Sequence, residues 1–302
     1  MWFKNLKFYR ITSPLELDED KLQDDLKEFG FRPCGSQEQA TQGWTSPFSK
    51  GDALFHSAGN NIWLNLKKQE RLLPSSVVNA QLAEKVATIE ADTGAAVGKK
   101  AKQDLKQEII HQLLPKAFTK DSFTQGFISV ANNLVVVDAG SDGKAEFFLA
   151  HLRKAIGSLP VVPLARRSLS AEFTAWLTEG NVPSAFSILE EAELRLPQDE
   201  GGIVRCKNQD LTSDEIQSHL DAGKVVMKIA VEWDETLSAI LQEDLTVKRL
   251  KFTDMIREKN DDIPKEEQLA KMDADFSLMA GEVVRLANSL TELFELDEEQ
   301  RF

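Results

Sequence analysis

The sequence predicts an α+β fold: an elongated, multi-lobed subunit with antiparallel sheets and long helices. Short runs rich in β-branched and aromatic residues come in pairs around turn-forming residues, as in "FISVANNLVVVD", two strands about Asn132-Asn133. Helical stretches alternate with strands irregularly, without the steady strand–helix–strand rhythm of a doubly wound parallel sheet. No short repeat or low-complexity linker divides the 302 residues. The expected parts therefore grade into one another: an N-terminal α/β lobe (1–73), a helical arm (74–120), a hairpin plus helix (121–167), a second α/β lobe (168–252) and a C-terminal helical segment (253–302).

Each element has a local reason. Residues 2–11 read as a strand, and 18–29 as an amphipathic helix stopped by Gly30. The stretch "RPCGSQEQATQGW" reads as a loop, and 53–57 and 62–67 as hairpin strands joined by Ala-Gly-Asn-Asn. Residues 74–114 are helical with a break near Thr93-Gly94, and Pro115 closes the second helix because proline removes a donor and disfavours helical geometry before it. A helix over 144–156, extended "SLPVVPL", a short helix over 171–177 and extended segments 185–194 and 202–207 follow. Thr212-Ser213-Asp214-Glu215 matches a capping box opening a helix to Ala222, with Gly223 as its stop. Strands over 225–233, 237–241 and 246–252 precede a long helix near 265–294.

Composition narrows the function classes. Hydrophobic residues make up 42%, enough for a substantial core, and no apolar run reaches the length of a membrane span. The N-terminus mixes charge and aromatics, unlike a signal peptide. Cys34 and Cys206 form no CxxC pair and suit a reducing cytoplasm. The formal charge is −13, yet residues 97–167 carry eleven basic against six acidic side chains, and residues 261–302 four against twelve. A basic middle is thus hidden in an acidic chain.

Within that middle, Lys99, Lys102 and Lys106 share one helical face beside an apolar face of Leu105, Ile109, Leu113 and Leu114. At 1.5 Å per residue they span roughly 10 Å, enough for about three phosphates of one strand. The plainer reading is a solvated surface helix. Lys144, Arg153, Lys154, Arg166, Arg167 and the "VKRLKF" strand add positive charge. Strand alternation there predicts Lys248 on a different face from Arg249 and Lys251. Scattered cations of this kind hold phosphates without reading bases.

Catalytic signatures are missing. His56, His111, His151 and His219 occur singly, with no HxH or HExxH spacing, and no phosphate-binding glycine loop or nucleophile elbow is present. "DAGSDGKAE" lacks both the P-loop ending and spaced calcium ligands, and reads as a loop before a helix. The expectation is a protein without catalytic activity, cofactor or metal. A metal-dependent nuclease using Glu190, Glu191 and Glu193 is the rival reading, and an acidic adaptor binding another protein is a third.

Several stretches together resemble the family of the recombination-associated protein RdgC: "MWFKNLKFYRI", "PCGSQ" with the later "GW", "LLPKAF", "SLPVVPL", "RCKNQDLTSDEI", "AGKVVMKIAVEW", "KRLKF" and "DADFSLM". They run in order over nearly the whole chain. The resemblance implies a ring-shaped homodimer whose positively lined hole admits double-stranded DNA without sequence preference. It also implies no catalysis, no membrane, a cytoplasmic and nucleoid-associated location, and restraint of RecA-mediated strand exchange. Within that frame the DNA-binding residues are expected to be Lys99, Lys100, Lys102, Lys106, Lys116, Arg153, Lys154, Lys207, Lys248, Arg249 and Lys251. The dimer contacts are expected at Phe118, as an aromatic anchor, and at Asn208, Gln209 and Asp210, as a polar contact that opens more readily. Asn208 departs from the family pattern, where a second basic residue is expected beside Lys207.

Overall fold

The computed structural model describes residues 2–48, 51–198, 201–264 and 266–297. In chain order the elements are β1 (Leu6–Ile11), α1 (Glu19–Glu28), β2 (Ala40–Thr45), β3 (Phe55–Ala58), β4 (Asn61–Arg71), α2 (Ser75–Thr93), α3 (Lys99–Leu113), β5 (Thr119–Ser129), β6 (Leu134–Asp138), α4 (Asp142–Ile156), β7 (Val161–Pro163) and α5 (Ser170–Thr178). They continue with β8 (Phe186–Arg195), β9 (Ile203–Lys207), α6 (Asp214–Asp221), β10 (Val225–Trp233), β11 (Leu237–Gln242), β12 (Val247–Phe252), α7 (Asp254–Arg257) and α8 (Gln268–Leu293). The fold is α+β with antiparallel pairing, as the sequence predicts. Lys265 and residues 298–302, parts of the expected C-terminal segment, lie outside the described residues.

Among the described residues, all twelve strands join one sheet in the order β2-β4-β5-β6-β1-β12-β11-β10-β8-β9, with β3 on β4 and β7 on β1. Its two halves meet where β1 pairs with β12 through a single register pair, Leu6↔Val247, reinforced by the Leu250 N–H donating to the Lys4 carbonyl at 2.8 Å. The first strand is shorter than the sequence predicts because the Lys4 and Asn5 N–H groups donate to the Asp138 carboxylate instead of a ladder. One core cluster lies on the face carrying Phe8, Trp63, Phe127 and Val136 and continues under α5, α6 and α8, where Phe276 stacks on Trp63. The other face of the N-terminal half, with Leu64, Ile128, Val135 and Val137, is covered by α1 and α4.

Two segments depart from the sequence reading. The stretch read as a loop contains β2, six residues paired with β4. Gly43 is needed there, since a Cβ would come within 2.5 Å of the Gly30 and Phe31 backbone. The predicted capping box is not formed: Ser213, not Thr212, is the N-cap of α6, and its hydroxyl donates to the Asp210 carbonyl. The Asp210 carboxylate takes the Thr212 N–H and hydroxyl at 2.9 and 2.7 Å, so a side-chain turn before the helix replaces the reciprocal cap.

The stretch read as two helices with a break near Thr93-Gly94 forms α2 and α3. In place of a tight turn, the eleven-residue strands β4 and β5 are joined by the helical hairpin of α2 and α3. Gly94, in the left-handed region, ends α2, and Pro115 sits in a 3-10 turn after α3. The arm buries little; Val78, Ile109 and Leu114 hold its base. Arg71 ties that base together, donating to the carbonyls of Gly35, Leu114 and Ala117 at 3.0–3.3 Å.

Candidate nucleic-acid interface

In the C-terminal half, β8–β12 bury one side and leave the other uncovered. Ala192, Leu194, Cys206, Val226, Ile229, Val247 and Leu250 point into the core. The opposite side carries a cavity of 230 Å³ whose walls come entirely from strands and Asn5. Into it converge Arg205 and Lys207 of β9, Lys228 of β10, and Lys248 and Arg249 of β12, with the carboxylates of Glu191 and Glu193 on β8. Cross-strand pairing makes the cluster: Glu193 lies opposite both Lys228 and Arg205, and Glu191 opposite Lys207.

The expected separation of Lys248 from Arg249 is overturned. Arg249 has φ 53° and sits where the β11–β12 register shifts, so β12 carries one extra residue between its pairs with Ser238 and Ile240. A bulge of this kind re-aims side chains, and both cations line the one cavity. Lys251 is exposed on the same strand, while Leu250 and Phe252 are buried.

The carboxylates are held by the cations. Glu193 Oε1 accepts from Lys228 Nζ at 3.0 Å and Oε2 from Arg205 Nε at 2.9 Å, and Glu191 Oε1 accepts from Arg249 Nη2. Burial pushes the Glu193 carboxyl up, but the bonds from Arg205 and Lys228 outweigh it and leave its pKa below the usual carboxylate value. Burial raises the neighbouring Cys206 thiol, which keeps it protonated and unreactive. Glu190 is exposed, and among the described residues no three His, Cys, Asp or Glu side chains gather as a metal-ligand group.

The remaining expected cations lie elsewhere. Lys99, Lys100 and Lys102 are exposed on α3; Lys106 lines a smaller cleft at the arm base with Arg71, and Lys116 is exposed on the 3-10 turn. At the end of α4, Arg153 donates to the Leu159 carbonyl and Lys154 lies 4.9 Å over the Phe29 ring. None of these reaches the sheet cavity. Phe118 is 84% exposed, the most exposed large apolar side chain among the described residues, and its carbonyl accepts from the half-exposed Leu72. Asn208 is exposed in the left-handed region, and the Gln209 N–H donates to the Glu190 carbonyl.

Arg205 and Lys228 escaped the sequence reading. Lys228 had a signal, a lone cation inside "VVMKIAV" that could only point outward, whereas Arg205 becomes visible only through its long-range register with Glu193.

These features define an α+β protein built on one antiparallel sheet, with a projecting helical hairpin and an uncovered, cation-lined sheet face. A family model described as "Putative exonuclease, RdgC" matches residues 1–297. The recombination-associated protein RdgC of Pseudoalteromonas atlantica is 66% identical over 300 residues, covering 99% of this chain and 100% of that protein. Proteins of the same name from Aeromonas hydrophila and Sodalis glossinidius are 49% and 48% identical, each over 96% of both chains. The chain belongs to the RdgC family of recombination-associated proteins.

Proposed function

We propose that this protein binds double-stranded DNA without sequence preference, pairs into a ring-shaped homodimer, and so restrains RecA-mediated strand exchange without acting chemically on the duplex. The observation that carries this reading is the open sheet face, where five basic side chains share one cavity with only two carboxylates. Lysine and arginine contacts to phosphates hold a protein on the duplex without carrying sequence information, which suits binding blind to sequence. Lys99, Lys100 and Lys102 add a second cationic surface on the arm. Self-association is supported by Phe118, since an aromatic this exposed gains most by burial against another surface. Family membership supplies the link to recombination.

The test is duplex affinity across a salt series with two unrelated sequences of equal length. The reading expects matched affinities and a steep slope, about −0.9 in log K per log salt for each phosphate neutralised. Absence of binding at low salt would sink it. Cleavage that depends on a divalent cation and is lost in Glu191→Gln would replace it with the nuclease reading.

A further inference from the structure

We propose that the sheet cavity is a phosphate seat kept occupied by the protein's own carboxylates, so that duplex binding must first displace Glu193 and Glu191. This rests on the duplex-binding reading and adds a device that limits it. Each Glu193 oxygen takes one cation, Oε1 from Lys228 at 3.0 Å and Oε2 from Arg205 at 2.9 Å. Two non-bridging phosphate oxygens accept from a Lys–Arg pair in the same way. Glu191 occupies Arg249 alike. Lys207 and Lys248 line the same cavity with no carboxylate partner among the described residues, so an arriving phosphate has two open cations to meet first.

Ordinary ion pairs on a protein surface also look like this, one pair at a time, and contribute little. Here two carboxylates and five cations share one cavity, so any anion entering it competes with both glutamates at once. The Glu191 and Glu193 side chains are 30% and 17% exposed, which leaves both a route outward. The carboxylates thus hold three cations out of play, and the seat grips DNA less tightly than its count of basic residues suggests.

The experiment compares wild type, Glu193→Gln, Lys228→Gln and the double variant in duplex binding across salt, with melting curves to confirm folding. Glutamine keeps the shape and removes the charge. Each further phosphate neutralised adds about 0.9 to the salt slope and, measured from 1 M, about eightfold in affinity at 0.1 M salt. Wild type neutralises the seat phosphate only where the duplex has displaced Glu193, so Glu193→Gln should bind up to about eightfold tighter per engaged subunit, with a steeper slope. Lys228→Gln should weaken binding more in the Glu193→Gln background than in wild type, because in wild type losing Lys228 also loosens the Glu193 that competes with the phosphate. Should Glu193→Gln misfold, Glu191→Gln carries the same expectation through Arg249. Equal or weaker binding by both folded glutamine variants, with unchanged slope, overturns the displaced-carboxylate seat while leaving duplex binding standing. Wild type that binds no duplex at low salt overturns both.

Discussion

Lys7 joins the two halves of the sheet where the backbone joins them least, so Lys7→Met should cost about 2 kcal/mol of stability. Its side chain is 9% exposed, and Nζ lies 2.5 Å from Asp142 Oδ1 on α4 and 2.7 Å from Asp244 Oδ2 in the turn between β11 and β12. Those carboxylates sit on opposite sides of a junction carrying one register pair. Two bonds to charged partners are worth about 1.5–3 kcal/mol each when shielded. Asp142 is 70% and Asp244 47% exposed, so both rehydrate once the ammonium is gone, and the sum is discounted to about 2 kcal/mol. Methionine keeps most of the stem, which isolates the charge. Burial pulls the Lys7 ammonium down, but its bonds to Asp142 and Asp244 outweigh that and leave its pKa raised; burial pushes Asp244 up, but Lys7 and Thr246 leave it lowered. The Lys7 contribution is therefore complete below the unfolded ammonium value of about 10.4 and fades as pH rises through the higher folded value. The Asp244 contribution is complete above about 3.9 and fades as pH falls through its lower folded value. Urea unfolding of wild type and Lys7→Met should show a gap that is flat through neutrality and narrows at both extremes. A gap below about 0.5 kcal/mol at pH 7, the size of an ordinary surface substitution, would refute Lys7 as the latch of this junction.

Phe118→Ser should leave the circular dichroism unchanged and weaken self-association. Burying an aromatic of this exposure is worth about 3 kcal/mol, on the order of a hundredfold in Kd, and unaltered sedimentation would remove Phe118 as an anchor. The combined Lys99, Lys102 and Lys106 to Glu change should weaken two unrelated duplexes equally and lower the salt slope by about 2.7; a folded variant with wild-type affinity would leave α3 outside the contact. Arg71→Met should loosen the arm and not the sheet. Trypsin should cut faster near Lys116 and Lys120 while global stability falls by about 2 kcal/mol, and an unchanged cleavage rate would count against Arg71 as the arm's anchor.

Local punctuation made the arm legible. Pro74, Gly94 and Pro115 mark its starts and stops within a few residues, and the structure ends its helices beside them. β2 was not legible, because Gln42-Gly43 interrupts its alternation and its evidence is non-local: six pairs with β4 and the close approach of Gly43 to Gly30. The cap of α6 misled for a related reason. The box pattern was present, but Asp210 offered Thr212 a better local acceptor. Cationic residues could be counted from sequence, whereas their convergence depends on register across five strands.

The bulge at Arg249 ties strand pattern to site chemistry. A left-handed non-glycine residue costs of order 1–3 kcal/mol, so something must require it. The requirement lies in the spacing of "VKRLKF": Val247, Leu250 and Phe252 are all buried, but the step from Val247 to Leu250 is odd, and a regular strand would turn one of them to solvent. Adding one residue restores the phase, and the Glu191 ion pair and the Asn5 Oδ1 contact at 3.4 Å help hold the bulged arginine. The same shift keeps Lys248, Arg249 and Lys251 all out of the core. In an acidic chain, the apolar residues of one strand thus decide that its three cations stand together on the open face.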